Sequence, residues 1–472
     1  MSNSRTKNLV KETAWFAIGN FGSKILSLLL VPLYTNILST SEYGSIDILN
    51  TTISLAIPLL TLSLQDAAFR YALEKDTKKE SVISDCLMVT VLSPLILFLL
   101  YPILNYALPI VTDNWWYFFW IYVFNSISSV LSCYLKGINK SNIFAIQGII
   151  HTFVFALSNI ILLVVVKMGV EGYLVSLLVS HVASCLFMFV AGRVYKHISF
   201  KNIDVKLLKE MLLFSLPLIP ASVAWWIMTS IDRYMLLYMC GTDANGLYSV
   251  AHKLPTIISV ITTFFINAWQ ITVVRNKDDS DISEYTSKIF NALFIVGIVL
   301  SFAMILTSKI LGKLFFAKDF FEAWTMTPLL SVSTIFSTLS LFLGAQFTAS
   351  KRSDLHLKSN LIAMVTNVVL NYVLIKWLGI NGAAYGTMIS YFMVLIYRHI
   401  KIRKLIRFSV DIKKMYGTCF LVMGVATITA LKLPGYTILT ALSFAITFLM
   451  YRSTIVSICK DLTTVIKSKL HR

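Results

Sequence analysis

Long apolar runs recur along the whole chain, among them "SPLILFLLYPIL" from Ser93 and "NIILLVVV" from Asn159. About 20 mostly apolar residues in helical form are needed to cross a bilayer's hydrocarbon core. A backbone in that core must satisfy its own hydrogen bonds, which leaves helices and closed barrels. A barrel would need short alternating segments, and these runs do not alternate. The chain is therefore read as an all-α polytopic membrane protein. Composition agrees: 57% of the 472 residues are hydrophobic and only 14% are charged, whereas soluble domains carry about 25% charged residues. The N-terminal "MSNSRTKNLVKETAWF" has no signal-peptide cleavage pattern, so the first apolar run is expected to stay as a helix.

Fourteen spans are expected, near residues 13–35, 46–68, 82–104, 115–135, 143–166, 171–192 and 211–238, then 247–273, 287–308, 325–349, 357–377, 382–400, 415–432 and 435–452. Basic residues orient them. With the N-terminus inside, the outer loops and their margins hold only Lys167, Lys309, Lys313, Lys318, Lys376 and Lys432. Nearly all the other Lys and Arg of the 41 fall on inner segments and adjoining span ends, which places both termini in the cytoplasm by the positive-inside rule. The net charge of +18 thus reflects topology and does not require nucleic acid. The basic stretch "YRHIKIRKLIRFSVDIKKMY" is read as a cytoplasmic linker lying on anionic lipid.

No metal or catalytic spacing occurs: there is no HExxH, GxGxxG, GxSxG or GxxxxGK. The six cysteines are read as small apolar residues of membrane helices. No cofactor is proposed. The loops are short, which argues against an enzyme such as a polysaccharide polymerase.

The chain repeats itself. "TSEYGSIDILNTTI" from Thr40 aligns with "TDANGLYSVAHKLPTI" from Thr242, with Gly44 on Gly246. "GVEGYLVSLLVS" from Gly169 aligns with "GINGAAYGTMIS" from Gly379. The interval is six spans, an even number, so the two copies enter the membrane in the same sense. Such repeats are related by an axis along the membrane normal, with the cargo site between them. The expected organisation is an N-lobe over 1–205, a C-lobe over 206–410, and two extra helices with a tail over 411–472.

Polar residues form stripes at spacings of three and four, which share one helix face. The second span carries Asp47, Asn50, Thr51, Ser54, Pro58, Thr61 and Gln65. The eighth, its repeat partner, carries Ser249, His252, Lys253, Thr256, Ser259, Thr263, Asn267 and Gln270. The first offers Asn20, Ser23, Lys24 and Ser27, and the seventh Ser222, Thr229, Asp232 and Arg233. Single hydroxyls often join helices, but stripes of this depth that carry charge are expected to line a wet cavity. Lys24 sits at the centre of 13–35, roughly 16 Å from either surface at 1.5 Å per residue. Its side chain cannot reach water along the lipid, and a central lysine facing lipid costs about 3 kcal/mol. It is expected to face the cavity. Lys253 and Arg233 lie nearer the outer end, where snorkelling or, for Arg233, pairing with Asp232 or Asp47 are alternatives. His151 and His181 are read as buried hydrogen-bonded histidines. Cations in a mid-membrane cavity suggest an anionic cargo.

"LSTSEYGSIDIL", "LQDAAFRYALE", "LKGINKSNIFAIQG" and "NYVLIKWLGINGAAYGTMIS" resemble the polysaccharide transporter branch of the multidrug/oligosaccharidyl-lipid/polysaccharide exporter superfamily. The resemblance implies two six-helix lobes in the arrangement of multidrug and toxin extrusion (MATE) transporters. It implies a flippase of the bacterial cytoplasmic membrane that moves undecaprenyl-diphosphate-linked oligosaccharides outward, for O-antigen, capsule or exopolysaccharide, by alternating access. Membrane lipids and polysaccharide assembly proteins would be its other partners. Lys24 and Lys253 match basic cavity positions that meet the diphosphate. Arg70 matches a basic position at the inner end of the second span, although Asp66 could pair with it. Fourteen spans exceed the twelve common in this branch and are similar to the lipid II flippases. A drug/cation antiporter is the alternative. Its site should be acidic, whereas the deep charge of the first span is Lys24.

Overall fold

The computed structural model describes residues 24–74, 76–198, 203–275, 282–350 and 352–452. A helix lies at each of the fourteen expected spans, and no strand occurs among the described residues. Ten helices are long and apolar enough to cross a membrane, with two shorter apolar helices at Lys24–Ile37 and Tyr436–Met450. By contacts the chain forms two compact units, Met1–Tyr234 and Met235–Arg472.

In the first unit α1 is Lys24–Ile37. The next span bends where a straight helix was expected: α2 is Thr40–Leu60 and α3 is Leu64–Leu73. Ser39 opens α2 with a capping box, its hydroxyl and amide meeting Glu42. Pro58 removes an amide donor from the last turn of α2. The chain then passes through left-handed Leu62 and Ser63, both at φ 53°, and the Ser63 amide donates to the Pro58 carbonyl at 2.9 Å. Then come α4 (Lys79–Leu99), α5 (Tyr101–Ala107), α6 (Trp115–Gly137), α7 (Ser141–Asn159, continued as a π-helix to Val165) and α8 (Gly169–Ala191). Ala67, Ala68 and Ala72 let α3 lie close on α6, and a side chain at Gly137 would come within 2.5 Å of the Ala72 Cβ. Small residues at such contacts are how helices approach in a membrane, where burial from water supplies no drive. After α8, α9 (Val205–Ser215) packs on α3 and α4, adding Met211 to the same core. Its N-cap is Asp204, whose own amide donates to buried Asp85 of α4 at 3.0 Å. A short turn at Leu216–Leu218 leads into α10 (Ile219–Cys240).

In the second unit the eighth expected span is also broken, into α11 (Thr242–Ala251) and α12 (Lys253–Arg275). Pro255 is the local cause: it cannot donate to the Ala251 carbonyl. Then follow α13 (Ile282–Phe315), α14 (Thr327–Ala349), α15 (Ser353–Leu378), α16 (Ile380–Ile402), α17 (Ile412–Ala430) and α18 (Tyr436–Met450). The centre is α14, with 83% of its apolar window buried, contacted by α12, α13, α16 and α17. The two extra helices pack on α13 and α14, and their turn is held by Lys432 on Glu322 at 2.5 Å and by Tyr436 against Trp324.

The repeat has a backbone counterpart. Helices α2 and α11 begin at the aligned Thr40 and Thr242. The aligned Gly169 and Gly379 both have positive φ, at 59° and 58°.

Candidate transport site

The charged residues of the polar stripe on α2 meet α10 directly. The Arg233 Nε lies 2.9 Å from the Asp47 carboxylate, and both side chains are only 17% exposed. A second carboxylate, Asp232, is 3.9 Å from the guanidinium, and Arg233 also donates to the Thr229 carbonyl at 2.9 Å. Below this pair, the Trp226 indole donates to the Thr51 carbonyl at 3.0 Å, and Thr52 and Tyr234 share a hydroxyl hydrogen bond of 2.7 Å. Trp226 and Tyr234 meet edge-on at 5.2 Å. One face of α10 is thus riveted to α2. Of the alternatives open for Arg233, the structure shows the ion pair with Asp47; its charge is matched by two carboxylates, so it adds no net positive charge to a cavity.

The hydroxyls of the stripes have a different role from the one expected of helix-joining groups. Thr51, Ser54 and Thr61 of the second span, and Thr256, Ser259 and Thr263 of the eighth, each donate to a carbonyl three or four residues back in their own helix. This local bonding occupies the hydroxyl hydrogen and leaves the oxygen lone pairs on the helix surface.

Lys24 is the first described residue of α1 and is exposed. It lies about 20 Å along the helix from Ile37. Asn20 and Ser23 lie outside the described residues, as does the side chain of Asn267. Asn50 is half-buried on α2. Arg70, on α3, pairs with Glu74 at 3.3 Å and is largely exposed, so its partner is the acid one turn onward and not Asp66. His252 and Lys253 belong to the second unit and sit at the break between α11 and α12, both half-buried. The break places the Tyr248 ring edge-on to His252 at 4.7 Å.

Two further groups were not read as part of a site in the sequence. Arg398, counted there with the basic linker, is 3% exposed. It donates to the Ser340 carbonyl at 2.6 Å, to Asn360 at 2.8 Å and to Ser359 at 3.0 Å, joining α14, α15 and α16. Gly344 makes room for it, since a Cβ there would meet the guanidinium. His399 is also buried, bonded to the Tyr416 hydroxyl at 2.7 Å. The exposed basic residues of that stretch therefore begin only at Arg403, with Lys404 and Arg407 exposed beside it. The second group is a meeting of His151 with His181, whose rings are 4.8 Å apart.

The sequence and fold compare with known proteins as follows. A family model described as "Polysaccharide biosynthesis protein" matches residues 9–271, and the MatE model matches residues 217–373. The capsular polysaccharide biosynthesis protein CapF of Staphylococcus aureus is 26% identical over 230 residues, which are 46% of this chain and 57% of that protein. An uncharacterised membrane protein in the cps region of Klebsiella pneumoniae is 23% identical over 417 residues, 82% of each chain. In fold, the chain is similar to the lipid II flippase MurJ in an inward closed conformation, with a TM-score of 0.70 at 14% identity, covering 93% of this chain and 99% of that one. An inward-facing multidrug resistance MATE family transporter has a TM-score of 0.69 at 16% identity, covering 81% and 95%.

Proposed function

Because the chain belongs to the polysaccharide biosynthesis protein family, a multi-pass membrane transporter with the MATE-like fold, we propose that its cargo is an undecaprenyl-diphosphate-linked oligosaccharide. It carries this cargo from the cytoplasmic to the outer leaflet of the cytoplasmic membrane, by alternating access between lobes at 1–205 and 206–410. Lys24, Lys253 and His252 supply positive or donor groups for the diphosphate. Asn50 and Asn20 bond the polar head. Arg70 meets the head where it enters, at the cytoplasmic end. The family match across the first eight spans carries this reading, and the likeness to CapF, a capsular polysaccharide protein, supports a surface-polysaccharide cargo.

A drug/cation antiporter is the second reading, favoured by the MatE match over residues 217–373. Purified protein in liposomes separates the two. Outward movement of a fluorescent lipid-diphosphate sugar, with no drug efflux and no sugar polymerisation, is expected. Efflux of a cationic dye without lipid movement would overturn the flippase.

A further inference from the structure

We propose that a cleft in the second unit holds one acyl chain of a bilayer phospholipid. The site does not depend on the identity of the cargo. Helices α12 and α13 both pack on α14 but hardly meet each other. Between them lies a cleft of about 210 Å³, with α14 as its floor. An apolar cavity of about 150 Å³ already stays dry and takes benzene. The rim is formed by Ile261 and Phe265 of α12 and Val296 of α13, all exposed. Deeper in lie Thr262, Thr338 and Leu293, all buried. At 3.6 residues per turn, Ile261 and Phe265 fall on the side of α12 opposite the polar stripe of Thr256, Ser259 and Thr263. The mouth therefore opens away from that stripe.

The lining is apolar although it contains two threonines. The Thr262 hydroxyl donates to the Ile258 carbonyl at 3.0 Å, and that of Thr338 lies 2.9 Å from the Thr334 carbonyl. The two hydroxyls are 3.2 Å apart, so their bonding is internal and almost no polar surface faces the cleft. Gly297 closes its back. A Cβ there would come within 2.7 Å of Ile335 Cγ2, so only glycine lets α13 approach α14 so closely.

Length and depth select the occupant. Ile289 and Leu300 end the α13 wall of the cleft, about 16 Å apart along the helix. In the span expected over 287–308, Ile289 is near one surface and Leu300 is just past the midplane. One leaflet of a hydrocarbon core about 30 Å thick is about 15 Å deep, so the cleft runs the length of one leaflet. Tyr285 and Lys288, both exposed, precede Ile289 at headgroup level, where such residues anchor a helix. In the orientation expected from the basic residues this is the cytoplasmic leaflet. A phospholipid acyl chain fits this run from headgroup to midplane, whereas an undecaprenyl chain is much longer than one leaflet. Burial from water supplies no drive inside a bilayer. A chain in the cleft is held by dispersion contacts with three helices, which an empty cleft would forfeit.

The test uses full-length protein in phosphatidylglycerol nanodiscs. A trace of the same lipid carries a diazirine either in mid-chain or near the methyl end, and labelled residues are mapped by mass spectrometry. The mid-chain probe should label Leu293, and the chain-end probe Thr262 and Thr338. Ala292 also lines the cleft. Ala292→Trp should fill it, losing these labels while keeping those on Ile261, Phe265 and Val296. Wild-type labels confined to that rim, or deep labels that Ala292→Trp leaves in place, would overturn the site. If Ala292→Trp does not fold, the wild-type depth pattern decides alone: Leu293 and Thr338 labelled equally by both probes would count against a chain lying along the cleft. Loss of the deep labels on adding a small share of undecaprenyl phosphate to the bilayer would assign the cleft to a polyprenyl chain and overturn the phospholipid.

Discussion

At the residue scale, Arg233 and Lys24 carry opposite expectations. Arg233 is matched by Asp47 and Asp232, so its removal should act through structure. Arg233→Ala leaves mostly buried carboxylates uncompensated and should cost about 3–5 kcal/mol, read as a lowered melting temperature in detergent. Adding Asp47→Ala to it should recover part of that stability and part of transport. A double variant no better than the single would mean that Arg233 serves the cargo directly. For Lys24 the expectation is reversed. Lys24→Ala should abolish lipid flipping with expression and melting unchanged, Lys24→Arg should retain part of it, and Lys24→Glu should be worst, because a cation is needed to lower the desolvation barrier of a diphosphate. Normal flipping by Lys24→Ala would remove it from the site.

At the element scale, glycine and proline decide where helices bend, stop and touch. Gly169 and Gly379 both have positive φ, at 59° and 58°, where a side chain costs at least about 1–2 kcal/mol. Alanine at either should destabilise by at least about that amount. Gly424→Ala is the control: no neighbour lies within 4 Å of a Cβ there, and alanine in a helix interior should be neutral or stabilising. Gly137→Val should cost about 1–3 kcal/mol through overpacking against Ala72. Equal melting temperatures for Gly137→Val and wild type would contradict the close approach of α3 and α6. The bends after Pro58 and at Pro255 were only partly legible. Proline marks a lost hydrogen bond in the sequence, but whether a helix kinks, breaks or tolerates it depends on which neighbours resupply the freed carbonyl.

At the scale of the whole molecule, a cargo with two negative charges moving outward is favoured by an inside-negative potential, by roughly 4–5 kcal/mol per 100 mV. Valinomycin-imposed potentials in liposomes should therefore speed flipping when negative inside and slow it when reversed; indifference to sign would exclude net movement of the diphosphate charge. Cysteines introduced at Ser2 and His471 in a cysteine-free background should be labelled only from the cytoplasmic side, and labelling from outside would overturn the orientation. The sequence by itself determined the all-helical membrane class, the places of the spans, the repeat and the family. Those features follow from hydrocarbon length, unsatisfied backbone groups and local glycine conformation, all of which are properties of contiguous residues. Only the tertiary structure decided that Arg233 is spent on Asp47, that Arg398 is buried among Ser340, Ser359 and Asn360, and that His151 meets His181. Each of these depends on which helix faces which at a given depth, and a side chain's charge is worth what its non-local neighbours leave of it.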